Sequence, residues 1–100
     1  MTSDAHDPTS ASRPTGGHHM ATISHGGRFW DVYVEFEDQT ADSYTARGVL
    51  CFFPADANEG ERAVRTAPIL IENSREEALA RARTFEEHQL TGLLRSCLPD

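Results

Sequence analysis

Five histidines, two cysteines and sixteen carboxylates are the side chains of this 100-residue sequence able to do acid–base, nucleophilic or metal chemistry. Four of the histidines, His6, His18, His19 and His25, lie in the first 27 residues. The adjacent pair with a third imidazole six residues on could hold zinc or nickel adventitiously. A structural site needs a fourth ligand and a fixed geometry, and this stretch offers no cysteine, so solvated imidazoles and no metal are expected. His88 falls on the polar side of a helical pattern, with Thr84 and Thr91 nearby but no recognisable triad. Glu86 is the sharper case. Its projected direction lies inside the apolar arc, between Ala82, Leu90 and Leu93, with Gln89 close by. A buried carboxylate must pair or hold its proton, which is how general acids are made. The plainer expectation is that it reaches the rim or pairs with Arg65 or Arg47.

Asp31, Tyr33, Glu35 and Glu37 form an acidic strip that reads as one solvated face. Cys51 and Cys97 supply neither a disulfide framework nor paired metal-ligand spacing, and are expected as buried thiols in a reducing compartment. Gly16-Gly17 and Gly26-Gly27 lack phosphate-loop spacing and open no helix. Sequence therefore assigns no catalytic residue and no cofactor, and favours a protein that is not an enzyme.

The charge balance narrows the partners. Nine cations, all of them Arg, stand against sixteen acids for a formal charge of −7. Duplex binding draws its affinity from neutralising phosphates, so nucleic acid is not an expected partner, and an anionic membrane surface is disfavoured alike. The longest apolar run, Val49 to Phe53, is far short of the roughly 20 residues of a spanning helix. No basic region followed by an apolar stretch opens the sequence as a secretory signal would, and the cytoplasm is the expected compartment.

The elements that must position these side chains begin after a tail. Fourteen of residues 1–27 are Ser, Thr, Gly or Pro, a composition too polar to offset its ordering entropy, so 1–27 is expected to be disordered and 28–100 a single domain. Over 29–37, Trp30, Val32, Val34 and Phe36 alternate with Asp31, Tyr33, Glu35 and Glu37, which predicts a half-buried strand. Asp38-Gln39-Thr40-Ala41-Asp42 reads as a hairpin turn into a second strand over 43–53. Beyond Gly48, itself a sign of a bulge or close backbone approach, Val49, Leu50, Cys51, Phe52 and Phe53 are apolar on both faces. A loop follows over 54–60. The third strand, over 61–72, contains Pro68 and must be an edge or be bulged there. Ser74-Arg75-Glu76-Glu77 matches a capping box, with the two Glu at the positive end of the helix dipole. Ala78, Leu79, Ala82, Phe85, Leu90, Leu93 and Cys97 then share one face, and Glu77 is placed to pair with Arg81. The expected fold is α+β: a three-stranded antiparallel meander, then one long amphipathic helix across one sheet face, bent or frayed at Gly92 and ended near Pro99.

One helix covers one face of such a sheet. Val49, Cys51 and Phe53 would lie on the other, so a homodimer or a docked partner protein is expected to meet them. The helix face bearing Glu86, Gln89 and Leu93 is the other candidate contact. The succession of three strands and a helix opening Asn73-Ser74-Arg75-Glu76-Glu77-Ala78-Leu79 resembles the double-stranded-RNA-binding fold and the antitoxin domains built on it, without the basic residues of the RNA-binding version. That resemblance implies a regulator that binds a partner protein. Three functions are thus carried forward: a non-enzymatic interaction module that homo-oligomerises or docks into an assembly, an antitoxin-like regulator, and a small-ligand site at a dimer interface near Trp30, Tyr44, Glu86 and Gln89.

Overall fold

The computed structural model describes residues 17–37 and 45–99. Its first strand, β1 (His18–His25), falls inside the segment expected to be a disordered tail, which corrects that boundary. Ala21 and Ile23 alternate with Thr22 and Ser24, and the Gly26-Gly27 pair follows at positive φ of 63° and 79°. Two such residues in a row make a tight hairpin turn whose twist matches paired strands. The turn docks β1 antiparallel on β2 (Arg28–Phe36), with His25 opposite Arg28 and Ile23 opposite Trp30. A bulge at Met20 interrupts the register between His19 and Ala21. The polar composition is offset by what the strand buries: Ile23 is 2% exposed.

The strand predicted over 29–37 is β2, and that over 43–53 becomes β3 (Ala46–Pro54), antiparallel to it with Tyr33 opposite Cys51 and Phe36 opposite Gly48. The predicted turn at 38–42 lies outside the described residues. β3 is the central strand, as its two-faced run requires. Gly48 marks close approach and not a bulge: a Cβ there would stand 3.2 Å from the Leu70 Cβ, and the β2–β3 and β3–β5 registers both run to it unbroken.

The third predicted strand is split. β4 (Val64–Arg65) and β5 (Leu70–Glu72) both pair with β3, and Pro68 lies in the interruption between them. Thr66 replaces the missing rungs: its hydroxyl accepts the Leu50 amide at 3.0 Å and donates to the Ala67 carbonyl at 2.7 Å. The edge position expected from Pro68 is observed, on the side of the sheet opposite β1.

The single long helix is corrected to two, α1 (Arg75–Ala82) and α2 (Glu87–Cys97). Ser74 caps α1 by accepting the Glu77 amide at 3.1 Å, the serine half of the predicted capping box. The break comes at residues 83–86 and not at Gly92. Thr84 Oγ1 donates to the Arg81 carbonyl at 2.6 Å, an acceptor that helix continuation would leave to the Phe85 amide, and Phe85 bonds to Ala82 instead. Glu86 is then extended, and its amide donates to Gln89 Oε1 at 2.8 Å, restarting the helix. The restart rotates the apolar face, so Leu94, outside the expected arc, is fully buried, while Leu93 is half-buried.

The result is a two-layer α+β fold. α1 packs on β2, β3 and β5, and α2 on β1 and β4. Between the layers Ile23, Trp30, Val32, Val34, Leu50, Phe52, Leu70, Ala78, Ala82, Leu90 and Leu94 form one core.

Candidate functional site

Polar chemistry concentrates on the sheet face turned away from the helices. Alternation along β2 puts Phe29, Asp31, Tyr33 and Glu35 there, and the register sets Ser24, Thr22 and His19 of β1 and Phe53, Cys51 and Val49 of β3 beside them. Thr22 Oγ1 donates to Asp31 Oδ1 at 2.8 Å, and His19 Nε2 lies 3.1 Å from the same oxygen. His19 also stacks edge-on against Tyr33, ring centroids 5.2 Å apart. On the other flank Arg65 Nε donates to Glu35 Oε1 at 2.7 Å.

A hydroxyl, an imidazole and a carboxylate together invite comparison with a nucleophilic triad, but the wiring differs. In a triad the imidazole stands between hydroxyl and carboxylate and uses both nitrogens. Here Thr22 gives its proton to Asp31 directly, and the same His19 nitrogen faces both groups, at 3.1 Å from Asp31 and 3.5 Å from Thr22. The arrangement fixes three side chains across two strands. It relays no proton away from the hydroxyl.

The residues singled out from sequence do not converge. Glu86 and Gln89 are exposed at the start of α2, and the carboxylate, 73% exposed, reaches His88 at 3.4 Å. The carboxylate is exposed, as the plainer reading expected, because the break at 83–86 carries Glu86 off the apolar face; Arg65 and Arg47 pair instead with Glu35 and Glu37. Trp30 is buried in the core with its indole N–H donating to the His25 carbonyl at 3.2 Å, and Tyr44 lies outside the described residues. Leu93 packs against the core. Cys51 and Phe53, expected to lie open on the second face, are 0% and 4% exposed within the single chain, and Val49 is half-buried. Cys51 has Tyr33 and Arg65 as its cross-strand neighbours, with Glu35 held against Arg65. Burial first, and the Glu35 charge second, push its thiol up to about 11. Cys97 is half-buried near the end of α2.

A second charged cluster ties the β1–β2 turn to the following loop. The Arg28 guanidinium grips Glu61 with two bonds of 2.8 Å, reaches Asp56 at 2.9 Å and lies over the Trp30 ring. Bidentate pairing and the Asn58 amide hold the Glu61 carboxyl down to about 2. All three guanidinium nitrogens of Arg28 are engaged by Glu61 or Asp56, so the cluster clasps the fold.

Among the described residues no charged side chain is buried, and no three His, Cys, Asp or Glu are grouped to hold a metal. The shallow groove along Glu87, His88, Thr91, Gly92 and Arg95 is one face of α2. No described helix is long and apolar enough to cross a membrane.

What remains is a surface. β1 pairs with β2 alone among the described residues, leaving its other edge open. Phe29, 63% exposed, stands one strand in from it, opposite Ser24. Sequence reasoning missed this edge by reading composition over the whole tail. The signal was present in the alternation around Ile23 and a Gly-Gly turn leading into a strong strand. No family model matches the chain, and neither curated proteins nor solved structures yield a match.

Proposed function

We propose that this protein is a non-enzymatic interaction module that homo-oligomerises by continuing its sheet across β1. The observation that carries the reading is the contrast between the two sheet edges. An open edge offers a row of unpaired N–H and C=O groups, and proteins guard such rows with prolines, breaks, charges or bulges. The β4–β5 edge is broken at Pro68 and carries Arg65 and Glu72. β1 has neither proline nor formally charged Asp, Glu or Arg, and its bulge at Met20 protects only the first few residues.

From Ala21 to His25 the strand is regular. The pair flanking a two-residue turn, His25 and Arg28, is mutually hydrogen-bonded, so alternation turns the Ser24 and Thr22 amides outward. Antiparallel pairing centred on Ile23 sets Thr22 of each copy against Ser24 of the other. The exposed Phe29 adds apolar area beside the seam. The alternative of a ligand site near Glu86 has no such support, because that carboxylate is exposed and Trp30 is engaged in the core.

Light scattering across a concentration series tests the reading. The chain is expected to be a dimer at micromolar concentration. Ser24→Pro, which removes an outward amide without breaking a β1–β2 rung, is expected to leave a folded monomer by circular dichroism. A chain that stays monomeric to millimolar concentration would overturn it.

A further inference from the structure

We infer that the outer face of α2 is a second contact between copies of this chain, in which two α2 helices lie antiparallel with Glu87 of each against Arg95 of the other. This goes beyond the edge reading, uses a different surface and is tested separately from it. The shallow groove on α2 runs beside Glu87, Thr91 and Arg95, which are spaced four residues apart and so form one ridge of the helix. Leu90 and Leu94 are buried on the side turned to the core, while Glu87, Gly92 and Arg95 are exposed.

Gly92 makes the groove. It is the middle residue of α2, and a Cβ there would meet nothing within 4 Å. Glycine is the poorest helix former after proline, so a single copy gains nothing from it at this position. What it provides is room for another backbone to approach closely.

The charge pattern identifies that other backbone. Arg28, Arg47, Arg65 and Arg81 each hold a carboxylate of their own chain. Arg95 and Glu87 hold no partner among the described residues. Eight residues of helix rise, about 12 Å, keep them from each other. Thr91 lies midway between them. A two-fold axis at that point turns the helix end for end, so both Glu87–Arg95 contacts form at once and are equal. A parallel arrangement would set Glu87 against Glu87 and Arg95 against Arg95. Antiparallel alignment also places the negative end of each helix dipole beside the positive end of the other. His88 flanks the Glu87 end, turned toward Glu86 at 3.4 Å. A partner of one charge sign would match half of this face, whereas a second copy matches all of it.

The formal charge of −7 on each copy opposes association, which places this contact at high concentration. Repulsion between distant exposed charges is screened beyond about 8 Å at physiological salt, and groups in direct contact keep more of their attraction.

Sedimentation equilibrium of the full chain from micromolar to millimolar concentration tests the contact. The edge reading predicts the micromolar step to a dimer, and α2 adds a second step toward millimolar, to a tetramer. Glu87→Arg and Arg95→Glu change the net charge in opposite directions, yet each is expected to weaken the second step about tenfold. Combining them restores complementarity and is expected to return the step to within about threefold of wild type. Gly92→Gln is expected to abolish the step without lowering the melting temperature, since Gln is the better helix former and its Cβ meets nothing in one copy. Ser24→Pro removes only the micromolar step, so failure of the edge reading and failure of this contact are read apart. Single reversals that shift the second step in opposite directions, as net charge alone would, overturn the inference. A double reversal that fails to restore the step, or a wild-type chain without one, overturns it as well.

Discussion

Cys51 is a small side chain whose environment is set by its neighbours. Tyr33 and Arg65 flank it across the sheet, so a thiol-directed reagent at mildly alkaline pH is expected to modify Cys97 alone in the native chain and both cysteines after unfolding. With the folded pKa raised from 9.0 to about 11, the native state holds its proton longer than the unfolded chain. Stability is expected to fall as pH rises through that interval, and Cys51→Ala to flatten the fall in thermal scans. Glu61 works in the opposite direction. Its pKa is depressed from 4.5 to about 2 by Arg28, so its contribution is complete above 4.5 and lost as pH falls toward 2. Melting temperatures of the wild type and Glu61→Gln are expected to differ at neutral pH and converge at the acid end. Glu86 carries the opposite lesson: a carboxylate projected onto an apolar arc is buried only if the helix is continuous, and here it is not.

At the scale of elements, side-chain hydroxyls decide where regular structure stops. Thr84 ends α1 by taking the Arg81 carbonyl, and Thr66 repairs the edge of the sheet where Pro68 interrupts it. Thr66→Val leaves the Leu50 amide without an acceptor next to a fully buried side chain, and is expected to cost about 1–3 kcal/mol in urea unfolding. Thr66→Ser, which restores the oxygen, is expected to recover most of it. The strand alternation of 29–37, the central position of β3, the edge marked by Pro68 and the cap at Ser74 were all legible, because each rests on local chemistry or on a period of two. The helix break was not. Its N-cap is a glutamate, and its competing hydrogen bond comes from a single threonine that helical periodicity tolerates.

For the whole molecule, the apolar excess on the second face no longer argues for a partner, since the single chain already hides Cys51 and Phe53. Association, if it follows the edge, has its own signature. Two copies at a formal charge of −7 repel, so the dimer is expected to tighten with added salt, the reverse of an interface made by opposite charges. Phe29→Ala is expected to raise the dimer dissociation constant while leaving urea stability within about 0.5 kcal/mol, because the ring is 63% exposed in one copy. Sedimentation at low and high salt reads both effects.

By itself the sequence determined the strands β2 and β3, which residue types they bury and that a helical layer covers one side of the sheet. These follow from periodicity, turn residues and caps, which act over a few neighbours. Only the tertiary structure decided that part of a polar tail is a strand, that the helix is two helices, and that Cys51 and Phe53 on the far face are buried in a single copy. Each of those depends on what a segment meets across the fold: Ile23 against the core, Leu94 turned inward after the break, Tyr33 and Arg65 set opposite Cys51. Composition averaged along a chain does not record such meetings.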